Sequence, residues 1–99
     1  MVEVSRHAYD RARERLSWKP ETIEKMAAKA FTDGIRHGQL KGRLRKYIDG
    51  KAMDHCGVSD YLIYGDYLYI FSHSCGVDTL VTVFHVPSDL VRLIPRGDK

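Results

Sequence analysis

Residues 61–71 read Tyr-Leu-Ile-Tyr-Gly-Asp-Tyr-Leu-Tyr-Ile-Phe, and this stretch decides the fold of the second half of the chain. Both arms are rich in aromatic and β-branched residues. The central Gly65-Asp66 pair is typical of a two-residue turn, because glycine adopts a positive φ without strain. The stretch therefore predicts a β-hairpin. Residues 79–86 have a similar composition and stop before Pro87, which cannot continue a hydrogen-bonded ladder, so they predict a third strand.

The first half of the chain has helical periodicity instead. A helix is predicted over residues 6–16, where Ser5 is a suitable N-cap and apolar residues recur every four positions. A second helix is expected to begin at Pro20, a residue favoured in the first turn, and to stop at Gly34. A third is predicted over residues 39–52, with basic residues on its outer side.

These elements predict one small α+β domain. The chain has 99 residues, of which 43% are hydrophobic and 29% charged, proportions typical of a single globular core. We expect a single domain over residues 1–99, with two or three N-terminal helices (1–54) packed on one face of a C-terminal antiparallel sheet (60–95). The sheet is expected to have three strands, or four if residues 90–94 add a short one.

Composition also excludes several classes of protein. Cys56 and Cys75 are the only cysteines, which disfavours a secreted scaffold held by disulfides. No apolar run approaches the roughly 18 residues of a membrane span, and the first residues lack a signal-peptide core. We therefore expect a cytoplasmic protein without a membrane partner. The sequence does not predict the oligomeric state.

The charge is distributed unevenly along the chain. Residues 1–51 contain 13 of the 16 Lys and Arg and 7 of the 13 Asp and Glu, a net charge of +6, whereas residues 52–99 contain 3 against 6, a net charge of −3. This asymmetry indicates an anionic partner for the first half, nucleic acid above all, although solvated basic helices would give the same composition. The residues predicted to contact nucleic acid are Arg36, Lys41, Arg43, Arg45, Lys46 and Tyr47.

The first predicted helix has a pattern suited to chemistry on phosphates. His7, Arg11 and Glu14 fall on one side of it, beside the apolar stripe. Imidazole exchanges a proton near neutral pH and a guanidinium can hold a phosphoryl oxygen, which are the requirements of RNA cleavage without metal. The alternative is a structural helix in which these side chains bond only to Glu14 and Asp10.

The sequence also resembles a known group of proteins. The residues that carry the resemblance are Ser5, His7, Ala8, Arg11, Glu14 and Arg15, together with a later Leu-Val-Thr-Val at 80–83. They resemble small proteins of phages and mobile elements, similar to the RelE-like toxins of the barnase, EndoU, colicin and RelE superfold. The resemblance implies a metal-independent ribonuclease without a cofactor, whose catalytic residues come from the first helix and the sheet.

Four residues are predicted to be catalytic. His7 and Arg11 match the helix of the resembled proteins, and Thr82 matches the threonine of their closing strand. Lys46 is added as a second cation from its chemistry alone. His85 is a further candidate, as a second proton carrier. Strand alternation predicts that Thr82 shares a face with Leu80 and that His85 points to the opposite face, so Thr82 is preferred as the partner of His7.

Two other features have a functional and a structural interpretation. His55-Cys56 and His73-x-Cys75 flank the hairpin and could form a zinc site, but their spacing fits no standard motif and no metal is predicted. The hairpin tyrosines could stack on bases, or Tyr67, Tyr69 and Phe71 could form the core face beneath the helices.

Two functions follow from these observations. The first is a metal-independent, toxin-like ribonuclease that cleaves RNA. The second is a non-catalytic phage or mobile-element protein that binds and inhibits a host nucleic-acid-processing complex. RNA is the partner in the first case and a nucleic-acid-binding host protein in the second.

Overall fold

The structure is a computed structural model that describes residues 2–52, 59–74 and 76–94. In chain order its elements are β1 (Val2–Val4), α1 (Arg6–Leu16), α2 (Pro20–Asp33), β2 (Ile35–Arg36), a 3-10 turn (His37–Gln39), α3 (Gly42–Ala52), β3 (Ser59–Tyr64), β4 (Tyr67–Ser74), β5 (Val77–His85) and α4 (Ser88–Val91). The α+β class and the three main predicted helices are confirmed. Residues 90–94 do not add a strand; the chain there leaves the short helix α4.

The predicted hairpin is also confirmed. β3 and β4 pair antiparallel, with Tyr64 opposite Tyr67 at the turn. Gly65 has a φ of +63°, which explains why the turn carries a glycine. The third predicted strand follows as β5 and pairs antiparallel with β4.

The sheet is larger than predicted and partly parallel. It has five strands in the order β1-β5-β4-β3-β2, and β1 runs parallel to β5. The prediction of a purely antiparallel sheet of three or four strands was therefore wrong. β1 has three residues and β2 has two, which is too short to show an alternating pattern in the sequence.

Helices cover both faces of the sheet, whereas the sequence analysis expected them on one. One buried cluster joins α1 and α2 to Tyr69 and Phe71, which confirms that these aromatic residues form a core face. The other joins α3 and α4 to Leu68 and Ile70. Neighbouring residues of β4 are thus buried on opposite faces of the sheet. This burial explains why the apolar part of the strand is a continuous run and not an alternation of apolar and polar residues.

A bulge in β5 changes which residues share a face. Ile70 pairs with Thr82 but the next residue of β4, Phe71, pairs with Leu80, so Val81 is the extra residue. Leu80 therefore belongs to the cluster of α1 and α2, and Thr82 lies on the other face with its partner Ile70. The predicted pairing of Leu80 and Thr82 on one face was wrong for this reason.

The start of α1 fixes the helix beside β5. The backbone N–H of Ser5 donates to the Leu80 carbonyl at 3.0 Å, and the Ser5 hydroxyl accepts from the Ala8 N–H at 3.0 Å, as expected of an N-cap. β1 pairs with β5 only as far as Leu80. Beyond Leu80, no described strand pairs with β5 on this side. We call this segment, residues 81–85, the open edge of β5.

Candidate functional site

One side of α1 carries a row of three basic side chains along the open edge of β5. Ala8 and Ala12 are fully buried against the sheet, so the helix lies close to it. His7, Arg11 and Arg15 recur every four residues and therefore lie on one side of the helix, next to the alanine stripe. We call these three residues the α1 row.

The N-terminal part of the α1 row is connected by hydrogen bonds. Arg11 Nε donates to His7 Nε2 at 3.3 Å, and Arg11 Nη1 donates to Glu14 Oε1 at 2.9 Å. The Nε2 lone pair that accepts from Arg11 is the one that would take a proton, so His7 can act as a general base through Nε2 when Arg11 turns to another acceptor, such as a phosphoryl oxygen. The structure thus brings His7 and Arg11 together, as the sequence analysis expected.

Arg15 reaches from the end of α1 to β5. Its Nη1 donates to the Val83 carbonyl at 3.2 Å and to the Thr82 hydroxyl at 3.4 Å, and its guanidinium lies 4.3 Å from the centre of the Phe84 ring. Partial burial lowers the pKa of Arg15, as does the nearby charge of Arg11, whereas Glu14 and Tyr47 act in the opposite direction. Arg15 was not among the predicted site residues, although the four-residue spacing of His7, Arg11 and Arg15 was a usable signal.

Tyr47 brings α3 to the same place. It is half-buried, and desolvation raises the pKa of its hydroxyl while the charge of Arg15 lowers it. Tyr47 was predicted to contact nucleic acid, and it is the residue of α3 that lies near the α1 row.

Thr82 lies at the Arg15 end of the row. It is 1% exposed, and its hydroxyl accepts from Arg15. Within residues 2–52, 59–74 and 76–94, no hydrogen bond joins it to His7 or Arg11. His7 and Arg15 are eight residues apart, about 12 Å along the helix axis. Thr82 is therefore placed to hold Arg15 rather than to act beside His7.

His85 lies on the other face of the sheet from Thr82, as strand alternation predicted. Its ring packs edge-on against Tyr67, with centroids 5.1 Å apart, and its Nδ1 bonds to the Val86 carbonyl at 2.7 Å. The start of α1 bonds to Leu80, whereas His85 lies five residues further along β5, about 16 Å, so His7 and His85 do not form a proton-transfer pair.

The basic residues predicted to bind nucleic acid divide into two groups. Arg36 forms an ion pair with Asp60 at 3.2 Å, and Arg43 forms one with Asp89 at 3.1 Å. Lys41, Arg45 and Lys46 are exposed and have no ion-pair partner in the described part of the chain. No described contact joins Lys46 to His7, Arg11 or Thr82.

A separate cluster lies at the far end of the sheet. His73 Nε2 is 2.7 Å from Asp60 Oδ2, and His73 Nδ1 is bonded to Asp78 Oδ1. The bond to Asp60 raises the pKa of His73, partial burial lowers it, and the bond to Asp78 and the charges of both carboxylates raise it. Carboxylates only accept hydrogen bonds, so both ring nitrogens donate and the imidazole is protonated.

The hydrogen bonds of His73 are relevant to the zinc site that His55, Cys56, His73 and Cys75 could form. Both of its nitrogens are taken by carboxylates, and no group of three or more His, Cys, Asp or Glu suited to a metal ion occurs among the described residues. His55, Cys56 and Cys75 lie outside the described residues.

A cavity of about 360 Å³ lies on the β1 side of α1 and is lined by Glu3, Glu24 and Tyr9, among others. Its carboxylates do not suit a phosphate. None of the helices in the described ranges combines the length and apolarity needed to cross a bilayer.

Comparison of the chain with protein-family models, with curated proteins and with solved structures finds no match. The functional argument therefore depends on the site itself.

Proposed function

We propose that the protein is a metal-independent endoribonuclease whose reaction centre is His7 and Arg11, at the open edge of β5. The observation that carries the proposal is the contact between Arg11 Nε and His7 Nε2 at 3.3 Å on an accessible side of α1. It joins a potential proton acceptor to a phosphate-binding cation. The packing of α1 on β5, with the antiparallel strands β3–β5 after the three main helices, supports the proposal, since the resemblance implies catalytic residues from the first helix beside the sheet.

Each residue has a definite role in this reaction. His7 removes the proton of a ribose 2′-hydroxyl, whose oxygen attacks the adjacent phosphorus. Arg11 donates hydrogen bonds to the phosphoryl oxygens, on which negative charge accumulates. The bond from phosphorus to the 5′-oxygen breaks, and this oxygen takes a proton from water, which the open edge admits. The products are a 2′,3′-cyclic phosphate and a 5′-hydroxyl end.

Glu14 holds Arg11 before substrate binds. The side chains of Arg11 and Glu14 are 36% and 55% exposed, so their ion pair contributes only about 0–1 kcal/mol. A phosphate can therefore replace Glu14 as the partner of the Arg11 guanidinium at little cost in free energy.

A second function, RNA binding without cleavage, is favoured by a different observation. Among the described residues, the side chain that bonds to His7 is that of Arg11, and no hydrogen bond joins His7 to a second group that could carry a proton. The exposed and unpaired Lys41, Arg45 and Lys46 would still attract a phosphate backbone.

The test is cleavage of a single-stranded RNA labelled at its 5′ end, with EDTA present throughout. We expect the wild-type protein to give fragments ending in a 2′,3′-cyclic phosphate, and His7→Ala to lose at least about 100-fold in rate, the typical contribution of a general base. His85→Ala is the matched control, since His85 is an exposed histidine whose described contacts are with Tyr67 and the Val86 carbonyl, and it should retain the wild-type rate.

Intact RNA after incubation with the wild-type protein would overturn the ribonuclease. Retarded migration of that intact RNA, weakened by salt, would then support the binding function. Equal loss of cleavage in His7→Ala and His85→Ala would contradict the assigned role of His7.

A further inference from the structure

We infer that Arg15 and Phe84 form a subsite that stacks one unpaired nucleobase, a proposal that rests on RNA being the ligand of the proposed function. The subsite lies where the end of α1 reaches the open edge of β5. It would give the protein a preference for single-stranded over duplex RNA.

The first step of the argument is that the Arg15 guanidinium is fixed in orientation. Its Nη1 bonds to the Val83 carbonyl and to the Thr82 hydroxyl, at 3.2 and 3.4 Å. Thr82 is 1% exposed and belongs to the strand, so these acceptors cannot move with the ligand. An arginine held in this way loses little side-chain entropy when something binds to it.

The second step is that the guanidinium lies against the Phe84 ring while Arg15 remains accessible to solvent. The Phe84 ring lies 4.3 Å from Arg15 Cζ, yet Arg15 as a residue remains exposed. Guanidinium groups stack on aromatic rings, and unpaired bases stack on guanidinium planes as they do on aromatic side chains. A base can therefore extend the Phe84 and Arg15 stack outward.

The third step concerns phosphate as the competing ligand. Tight phosphate recognition by arginine uses two parallel N–H groups. The partners of Arg15 Nη1 are the Val83 carbonyl and the buried Thr82 hydroxyl, which are fixed in the strand, so the guanidinium cannot turn freely toward a phosphate. Arg11, one turn earlier, is held only by surface contacts and is the better phosphate ligand. The two arginines thus have different roles, Arg11 toward the backbone of the RNA and Arg15 toward a base.

Tyr47 supplies a further aromatic side chain at the rim. Its half-buried ring lies near enough to Arg15 for the guanidinium charge to lower the pKa of the Tyr47 hydroxyl, against the larger effect of burial. The subsite is about 12 Å from His7 along α1. The stacked base would therefore belong to a different nucleotide from the one that is cleaved, and it would set the position of the strand on the α1 row.

The experiment uses a short RNA in which every ribose is 2′-O-methylated, so that it cannot be cleaved, and in which one base is 2-aminopurine. Stacking quenches the fluorescence of this base. We expect the wild-type protein to quench it on binding. Arg15→Lys, which keeps the charge but loses the plane, should weaken binding roughly tenfold and abolish the quenching.

Matched variants separate stacking from charge and from folding. Arg13→Lys lies on the same helix with a side chain that is 75% exposed, and it should bind and quench as the wild type does. Phe84→Leu keeps an apolar side chain at the core but removes the ring, and it should also lose quenching. Thermal melting of each variant identifies any that fails to fold. If either Arg15→Lys or Phe84→Leu does not fold, the quenching measured with the other variant tests the stacking.

Unchanged quenching in folded Arg15→Lys and Phe84→Leu would overturn the subsite, as would binding of the duplex form of the oligonucleotide as tightly as the single strand. Quenching of the free 2-aminopurine nucleotide with the same dependence on Arg15 would support the subsite and assign it to free nucleotides. The cleavage assay is independent. Quenching without cleavage refutes the ribonuclease and keeps the subsite, whereas cleavage without any effect of Arg15→Lys refutes only the subsite.

Discussion

At the residue scale, Tyr69 buries a hydroxyl group without a partner. The residue is fully buried between the sheet and the first two helices, and its Oη has no hydrogen-bond partner among the described residues. Burial raises the pKa of this hydroxyl, and the neighbouring Tyr67 and Tyr64 raise it further. An unsatisfied buried hydroxyl costs about 1–3 kcal/mol, while the ring around it contributes favourable packing.

We therefore predict that Tyr69→Phe keeps or increases the free energy of unfolding, by up to about 1–3 kcal/mol, as measured by urea denaturation. Tyr69→Ala is the comparison, since loss of the whole ring should cost about 3–5 kcal/mol. Marked destabilisation by Tyr69→Phe alone would show that the hydroxyl has a partner in solution.

Thr82 provides a second test at this scale, because it distinguishes a positioning role from a catalytic one. Its hydroxyl holds Arg15 at 3.4 Å. Thr82→Val removes one hydrogen bond, worth about 0.5–1.5 kcal/mol, so we predict a loss of roughly 2- to 10-fold in affinity for the single-stranded oligonucleotide. Thr82→Ser should restore the affinity. A loss of cleavage as large as that of His7→Ala, with affinity unchanged, would instead make Thr82 part of the chemistry.

At the element scale, the end of α2 depends on a close backbone contact. Gly34 has a φ of −69°, which any residue can adopt, so its conformation does not explain the glycine. A Cβ at this position would lie 2.4 Å from the Ala30 carbonyl oxygen and 3.3 Å from that of Ile63. The absence of a side chain lets α2 turn directly into β2 against β3.

The expected consequence is that Gly34→Ala destabilises the protein by about 1–3 kcal/mol, the usual cost of forcing extra volume into a packed site. Gly50→Ala is the matched control. A Cβ at Gly50, within α3, meets nothing within 4 Å, and alanine is the better helix former by about 1 kcal/mol. Urea denaturation of both variants should give changes of opposite sign, and equal changes would contradict the account of Gly34.

The same elements show what the sequence could predict. Helix α1 begins and ends where Ser5 and the alanine period indicated, and the Gly65 turn defined the hairpin. The pairing of β1 with β5 could not be predicted, because a three-residue strand carries no period. The bulge at Val81 could not be predicted either, although it is the feature that places Leu80 and Thr82 on opposite faces of the sheet.

The prediction of the candidate site from the sequence had the same limits. The contact between His7 and Arg11 follows from helical spacing and was predictable. The contact of Arg15 with Thr82 joins residues 67 positions apart, and it depends on the bulge and on the early end of β1. Long-range contacts of this kind are a property of the tertiary structure, which local pattern does not encode.

At the scale of the whole molecule, the basic half of the chain is spread over both faces of the sheet. α1 and α2 belong to one buried cluster and α3 to the other. The net charge of +6 over residues 1–51 is therefore not one patch. Tyr47 of α3 is near enough to the α1 row for the charge of Arg15 to lower the pKa of its hydroxyl. RNA that follows positive potential would have to cross the open edge of β5, which is where the reaction centre and the stacking subsite are proposed.

The sheet is also tied together across four of its five strands by one chain of side chains. Arg36 of β2 bonds to Asp60 of β3, which bonds to His73 of β4, which bonds to Asp78 of β5. Because the pKa of His73 is raised in the folded protein, the protonated ring stabilises the fold. This stabilisation is fully present below the unfolded-state pKa of about 6.5 and is lost as the pH rises through the higher folded value.

We therefore predict that the free energy of unfolding of the wild-type protein falls, relative to that of His73→Gln, as the pH rises from about 6.5 into the alkaline range. Urea denaturation at several pH values measures this difference directly. His85→Gln is the control, because His85 packs on Tyr67 and bonds to a backbone carbonyl rather than to a carboxylate, and it should keep the wild-type decline. A difference between wild type and His73→Gln that is constant over this range would mean that Asp60 and Asp78 do not hold a protonated His73, and that the sheet is held together without this chain of contacts.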